Sequence, residues 1–481
     1  MIDVDIAVIG SGSGNSLVTE DLADRSFALI EGGEVFGGTC LNVGCIPTKM
    51  YVHVAEVATA VRDGARLGVD ATLERVRFTD VRDRVFGRID AISAGGEAYR
   101  RDGGQTELLR GHARFTGPRT LHVDLAGGGT QEVRAGQVVI AAGSHPSTPD
   151  DLAAAARREE ITLHTSDTVM RLPELPERVL VVGGGYIAAE MAHIFSAFGS
   201  RVTVAARGPA LLRHLDEEIV TAFTARAREQ WDVRTSTTVT DLHRGEGGVT
   251  ATLSDGSDVV VDVVLVATGR RPSTDGLGLE AAGIATHDDG RVVVDAHGRT
   301  AVDGVWALGD VSSPFQLKHV ANQEARVVAH NLAHPEDLQA FAHEVVPAAV
   351  FSHPQIATVG LTEVEAREAG HDVTTYTQQY GDTAYGWAME DTTSLCKVVA
   401  DRTSGRLLGG HLIGPEASTL IQPLVQAMSL AERIVDVTRR QYWIHPALTE
   451  VVENALLGLD LNPSEDTPEF PAHAARHAEA H

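Results

Sequence analysis

The segment GGTCLNVGCIPTKM, residues 37–50, holds Cys40 and Cys45 with four residues between them, and Lys49 close behind. A chain of 481 residues has only one further cysteine, Cys396. Two neighbouring thiols can clip a metal, staple a loop or carry electrons. A zinc site takes about four ligands, and Cys396 stands alone in a strand-like stretch, where a small buried hydrophobe is expected. No metal is therefore expected. A staple across so short a loop contributes little chain entropy. Geometry favours the third use. Five helical steps rise roughly 7.5 Å, beyond the roughly 7 Å that a disulfide bridges between Cα atoms. Closing the pair needs a distorted turn, and Val43-Gly44 can supply it. A strained, local disulfide is easier to reduce than a structural one, so the pair reads as a redox switch.

Two stretches resemble each other. DIAVIGSGSGNS (5–16) and RVLVVGGGYIAAE (178–190) each run from a β-branched segment into a glycine cluster and then a helix-like segment. That is the strand–turn–helix start of a dinucleotide fold: glycines let the backbone approach a pyrophosphate, and helix N–H groups face its charge. The first copy has Gly10 and Gly12, with Gly14 one place early and Asn15 where a third glycine belongs. Glu31 ends the next apolar run, FALIE, at the spacing of a ribose-binding acid. The second copy has Gly183, Gly185 and Ala188. Its following strand places Ala206 where such an acid would stand, then Arg207 and Arg213. Arginines attract a 2′-phosphate that an acid would repel, so this half is expected to prefer NADPH.

Further strands support two nucleotide sites. VVIAAGSHP (138–146) and VLVATGRRPS (264–273) lead into turns at Gly143 and Gly269, and GVWALGDVSS (304–313) reaches Asp310, placed to hold a sugar-like hydroxyl of a cofactor. From about residue 346 the nucleotide signatures stop. The expected fold class is α/β, with two Rossmann-like nucleotide-binding domains and an α+β C-terminal domain. The boundaries are residues 1–150 for the first part of the first nucleotide domain, 151–272 for the second, 273–345 for the return to the first, 346–462 for the C-terminal domain, and 463–481 for a Pro-, Ala- and His-rich disordered tail.

Composition narrows the class. The formal net charge of −26 argues against nucleic acid or an anionic membrane as partner. No apolar run approaches the roughly 18 residues of a membrane span, and the acidic start MIDVDIAVIG has no basic leader. A cytoplasmic location is expected. Lysine occurs only at 49, 318 and 397, against 37 arginines. That follows GC-rich coding, and it makes each lysine worth following.

Together these motifs, with YWIHPALTEVVENALLGL at 442–459, resemble the flavin-dependent pyridine nucleotide–disulfide oxidoreductases, the group of glutathione reductase and dihydrolipoamide dehydrogenase. The likeness runs from Val4 to about Leu459. It implies a glutathione reductase-like homodimer with FAD and NADPH. Gly10, Gly12, Gly14, Glu31, Gly38, Thr39 and Gly143 would lie along the FAD, with Asp310 on its ribityl chain. Gly183, Gly185, Tyr186, Arg207, Arg213 and Gly269 would belong to the NADPH site. Cys45 would be the thiol beside the flavin and Cys40 the one that attacks substrate. Lys49 would sit at the flavin and pair with Glu190. His445 and Glu450 would form an acid–base dyad that reaches the other subunit's cysteines. A proton donor for a leaving thiolate is chemically required, and imidazole titrates near neutral pH.

Within the family, no cysteine follows Cys396, unlike the mercuric and thioredoxin reductases of this group. The flanks look like the subgroup that reduces mycothione, a low-molecular-weight disulfide. The rivals are a dihydrolipoamide dehydrogenase, a glutathione-type disulfide reductase, or, in another class, a non-catalytic redox-sensing flavoprotein.

Overall fold

The computed structural model describes residues 1–462; the tail expected at 463–481 lies outside them. Packing divides the chain into two units, Met1–Thr358 with Leu412–Thr419, and Val359–His411 with the chain from Leu420 on.

In the first unit, the strand Ile2–Ile9 begins with alternating burial and ends in four buried residues. A run buried on both faces suits a central parallel strand. It pairs in parallel with Phe27–Glu31 on one side and Thr130–Ile140 on the other. Residues Thr106–Gly117 and Thr120–Leu125 complete an antiparallel meander with Thr130–Ile140. Val305–Ala307, more than 160 residues on in sequence, returns to pair with Val138–Ile140. The period-two alternation of a strand sorts side chains into two cores. Ala7, Ile9, Ala28 and Ile30 enter one, and Ile6, Val8, Phe27 and Leu29 enter the other.

A second, all-parallel sheet has the order 232–235, 201–206, 178–182, 263–266, 163–164. The helix Tyr186–Phe198 follows its Arg178–Val182 strand and is buried along most of its length. The two sheets' connecting segments pair as short antiparallel strands, Ser144–Pro146 with Arg270–Pro272.

The second unit contains antiparallel strands Val373–Gln379 and Leu395–Asp401 and the helix Thr449–Leu457. Gly458 ends that helix so close to Tyr376 that a Cβ there would lie 2.4 Å from the ring. Cys396 is wholly buried, as expected for a structural thiol, and Lys397 beside it pairs with Glu363 at 2.8 Å.

Candidate active site

The first glycine loop departs from expectation in its helix. Ser13–Leu17 forms a short 3-10 turn rather than an α-helix. Gly10 has φ +108°, and a Cβ there would lie 2.3 Å from the Ala141 carbonyl oxygen. The third-glycine role, close packing against the strand, falls to Gly14. A Cβ on Gly14 would meet Val8 Cγ1 and Ala141 Cβ, both at 2.8 Å. Asn15 therefore has no packing role to fill. Its side-chain oxygen accepts from Arg100 Nε at 2.6 Å, and its carbonyl from the same guanidinium at 2.8 Å. The second loop repeats the first-glycine geometry: Gly183 has φ +136°, with a Cβ position 2.2 Å from the Ala267 oxygen.

The cysteine segment folds as two helices broken where the geometry demanded. Gly38–Asn42 carries Cys40, and Cys45–Asp63 begins at Cys45. Val43 and Gly44 between them leave helical geometry. Cys40 and Cys45 stand as separate thiols. Their environments differ. A hydrogen bond from Cys40, with the Lys49 ammonium nearby, lowers Cys45 to about 7 against the opposing effects of burial and Glu190. The same hydrogen bond, burial and the Cys45 charge push Cys40 far upward, with Lys318 opposing them. The arrangement makes Cys45 the readier of the two to ionise and keeps the proton on Cys40.

Lys49 Nζ lies 2.7 Å from both Glu190 oxygens and 4.5 Å from the Phe351 ring centre. Glu190 also accepts from the Phe351 backbone N–H at 3.0 Å. The lysine is thus oriented by an acid 141 residues away, on the helix behind the second glycine loop.

A cavity of about 950 Å³ gathers these pieces. Gly10, Gly12, Glu31, Gly38, Thr39, Cys40, Cys45, Lys49, Gly143, Tyr186, Glu190 and Asp310 all line it. Gly38, at φ +73°, lies against Gly12 so closely that a Cβ would be 2.6 Å from the Gly12 Cα. Two side-chain-free residues thus leave room for a ligand backbone between loop and helix. Glu31 accepts from the Ser11 N–H at 2.9 Å and the Gly33 N–H at 2.6 Å. Asp310 accepts from Ser144 Oγ at 2.6 Å. The acid's position is fixed from beneath, where the Gly309 N–H donates to buried Glu324 at 2.6 Å and His343 meets the same carboxylate at 2.8 Å.

Gly14, Gly183, Gly185, Arg207, Arg213 and Gly269 lie outside that lining. Arg207 and Arg213 are exposed beyond the strand Arg201–Ala206. The Arg213 Cδ sits 3.2 Å from where a Gly208 Cβ would be, and the neighbouring His214 ring lies 5.0 Å from Tyr186. Burial pushes the Tyr186 hydroxyl up to about 12, so it stays neutral.

In the second unit, His445 Nδ1 meets Glu450 Oε1 at 2.6 Å. The imidazole is 69% exposed and its carboxylate partner only 16%. That hydrogen bond is the leading cause holding Glu450 below its usual value.

Three side chains escaped the reading of the sequence: Lys318 and Arg270 line the cavity, and Ser144 lies beside it. Lys318 donates to Ser13 Oγ at 2.9 Å. Arg270 donates to Ser144 Oγ at 2.8 Å and carbonyl at 2.7 Å, and pairs with Asp167 at 3.2 Å. Ser144 itself bridges Arg270 to Asp310. The scarcity of lysine was the one signal for Lys318; Arg270 and Ser144 carry none.

The family model described as pyridine nucleotide-disulphide oxidoreductase matches residues 4–325, and its dimerisation domain matches 346–456. The chain is 53% identical to a mycothione reductase of Mycobacterium tuberculosis, covering 95% of this chain and 99% of that one. It is 35% identical to a dihydrolipoyl dehydrogenase of Thermus scotoductus over 93% of this chain and 95% of that one. Among solved structures it resembles the HOCl-induced flavoprotein disulfide reductase RclA of Escherichia coli, with a TM-score of 0.83, 28% identity and coverage of 94% and 99%. The chain belongs to the pyridine nucleotide-disulphide oxidoreductase family.

Proposed function

We propose that the chain is the subunit of a homodimeric, cytoplasmic flavoenzyme that uses NADPH to reduce mycothione to mycothiol. The observation that carries the reading is that Cys40 and Cys45 open on the same cavity as the dinucleotide loop, Glu31 and Asp310. The lining fits FAD: a glycine cradle for a diphosphate, acids for its hydroxyls, and the Lys49–Glu190 pair beside the thiols. A bound FAD would supply two-electron transfer from NADPH to the Cys40–Cys45 disulfide. Gly183, Gly185 and Tyr186 would receive the nicotinamide nucleotide, with Arg207 and Arg213 on its 2′-phosphate.

The remaining chemistry belongs to side chains. Lys49 and the Cys40 thiol keep Cys45 as thiolate. Cys40 gives up its proton to His445, which the dimer delivers from the partner subunit with Glu450 stabilising the imidazolium. The Cys40 sulfur attacks one sulfur of the substrate disulfide, and the departing thiolate takes the proton back from His445. Cys45 then attacks the Cys40 sulfur and restores the Cys40–Cys45 disulfide, and the second product leaves as a thiolate that takes its proton from water. Dihydrolipoamide dehydrogenases carry an acid at the position of Ala206, which disfavours that alternative. The complete set of thiols and dyad disfavours a non-catalytic sensor.

Turnover with mycothione, lipoamide and glutathione disulfide, each with NADPH and NADH, tests the reading. Mycothione with NADPH should have the highest kcat/KM. Replacing Arg207 and Arg213 together by Ala should lower kcat/KM for NADPH at least about tenfold more than for NADH, since charge-assisted phosphate contacts are lost. Faster turnover of lipoamide with NADH would overturn the substrate, and equal losses would overturn the 2′-phosphate site.

A further inference from the structure

Of the three lysines, two are paired with glutamates: Lys49 with Glu190 and Lys397 with Glu363. Lys318 differs. It is half-buried, it opens the helix Lys318–Ala333, and it lines the cavity that holds the thiols. Among the described residues it has no carboxylate partner within ion-pair distance. Its Nζ donates to Ser13 Oγ at 2.9 Å, and Asn322, one turn along the same helix, lies 3.4 Å from that hydroxyl. Ser13 belongs to the glycine loop, between Gly12 and Gly14. A half-buried ammonium without a counter-charge, fastened to a loop built for backbone approach, awaits an anion.

We propose that Lys318 is a cofactor-anchoring residue that binds the diphosphate of the dinucleotide held by the first glycine loop. Its ammonium and the Ser13 hydroxyl form a two-point grip that neighbouring glycine N–H groups complete. The inference rests on the FAD reading of the cavity. The same charge reaches Cys40, where it opposes the upward push on that thiol, so one lysine serves both ends of the site.

The test is binding by the full chain stripped of flavin. FAD and riboflavin, which lacks the diphosphate, are titrated against wild type, Lys318→Met and Lys318→Arg by quenching of flavin fluorescence. Lys318→Met should weaken FAD by about 10- to 100-fold, the scale of one charge-assisted hydrogen bond, and leave riboflavin unchanged. It should also flatten the salt dependence of FAD binding. Lys318→Arg keeps the charge and should recover part of the loss, which separates lost charge from misfolding. An unchanged FAD affinity in Lys318→Met, or equal losses for FAD and riboflavin, would overturn the proposal. If wild type itself fails to bind FAD, the reading of the cavity falls instead.

Discussion

Cys40 and Cys45 carry the same thiol but opposite proton affinities, and the difference comes from neighbours rather than from the thiols. Cys45 begins a helix, receives the Cys40 hydrogen bond and lies near Lys49; Cys40 supplies that bond and is pushed upward by it. With Cys45 at about 7, its thiolate dominates above neutral pH and is lost as pH falls below it. Alkylation of Cys45 in the reduced enzyme should therefore speed up as pH rises through about 7. Lys49→Met removes a lowering charge and leaves Glu190, a raising one, so the rise should move to higher pH. A curve that stays in place or moves down would contradict the assigned role of Lys49. The pair was legible in the sequence because its meaning lies in short spacing and in the Val43-Gly44 break. Lys49–Glu190, Ser144–Asp310 and Lys318–Ser13 join residues 141 to 305 positions apart. No local pattern encodes such contacts. The first was reached only through family resemblance, and the other two contacts were not reached.

At the scale of elements, the two nucleotide loops show which sequence rules are rigid. The first glycine of each loop faces a carbonyl just past the end of the neighbouring parallel strand, Ala141 or Ala267, and no side chain fits there. The third position is looser in register. Gly14 does its packing one residue early, and Asn15 turns out to Arg100 on the helix Phe78–Asp102. Sequence periodicity marked the strand and the loop but not the 3-10 turn, because that turn is set by packing against the helix Lys318–Ala333, some 300 residues on. Gly14→Ala should destabilise the holoenzyme by about 1–3 kcal/mol, the usual cost of overpacking, measured by denaturant unfolding. Gly95→Ala is the control. Gly95 lies inside a helix with nothing within 4 Å of its Cβ position, so Ala should raise stability by about 0.5–1 kcal/mol. Equal effects at the two sites would refute the packing role of Gly14.

At the scale of the whole molecule, the proposed mechanism calls for a second copy of the chain. His445 is mostly exposed, and Tyr442 and Ile444 beside it are 101% and 74% exposed. Large apolar residues left bare beside the proposed dyad mark a surface made to be covered, and the dimerisation-domain match spans them. Replacing Tyr442 and Ile444 by Asp should give a monomer in sedimentation. That monomer should keep NADPH-driven flavin reduction and lose at least about 100-fold in disulfide turnover, the range of a lost acid–base group. A variant that stays dimeric and active would contradict the composite site. The central claim, that electrons pass from NADPH through the flavin to a Cys45 thiolate, is met most directly by an anaerobic NADPH titration followed by absorbance. Wild type should develop a long-wavelength thiolate–flavin band. Cys40→Ser should show that band before any NADPH is added, since Cys45 can no longer be tied up in the disulfide, and Cys45→Ser should never show it. No band in wild type, or a band that persists in Cys45→Ser, would contradict the account.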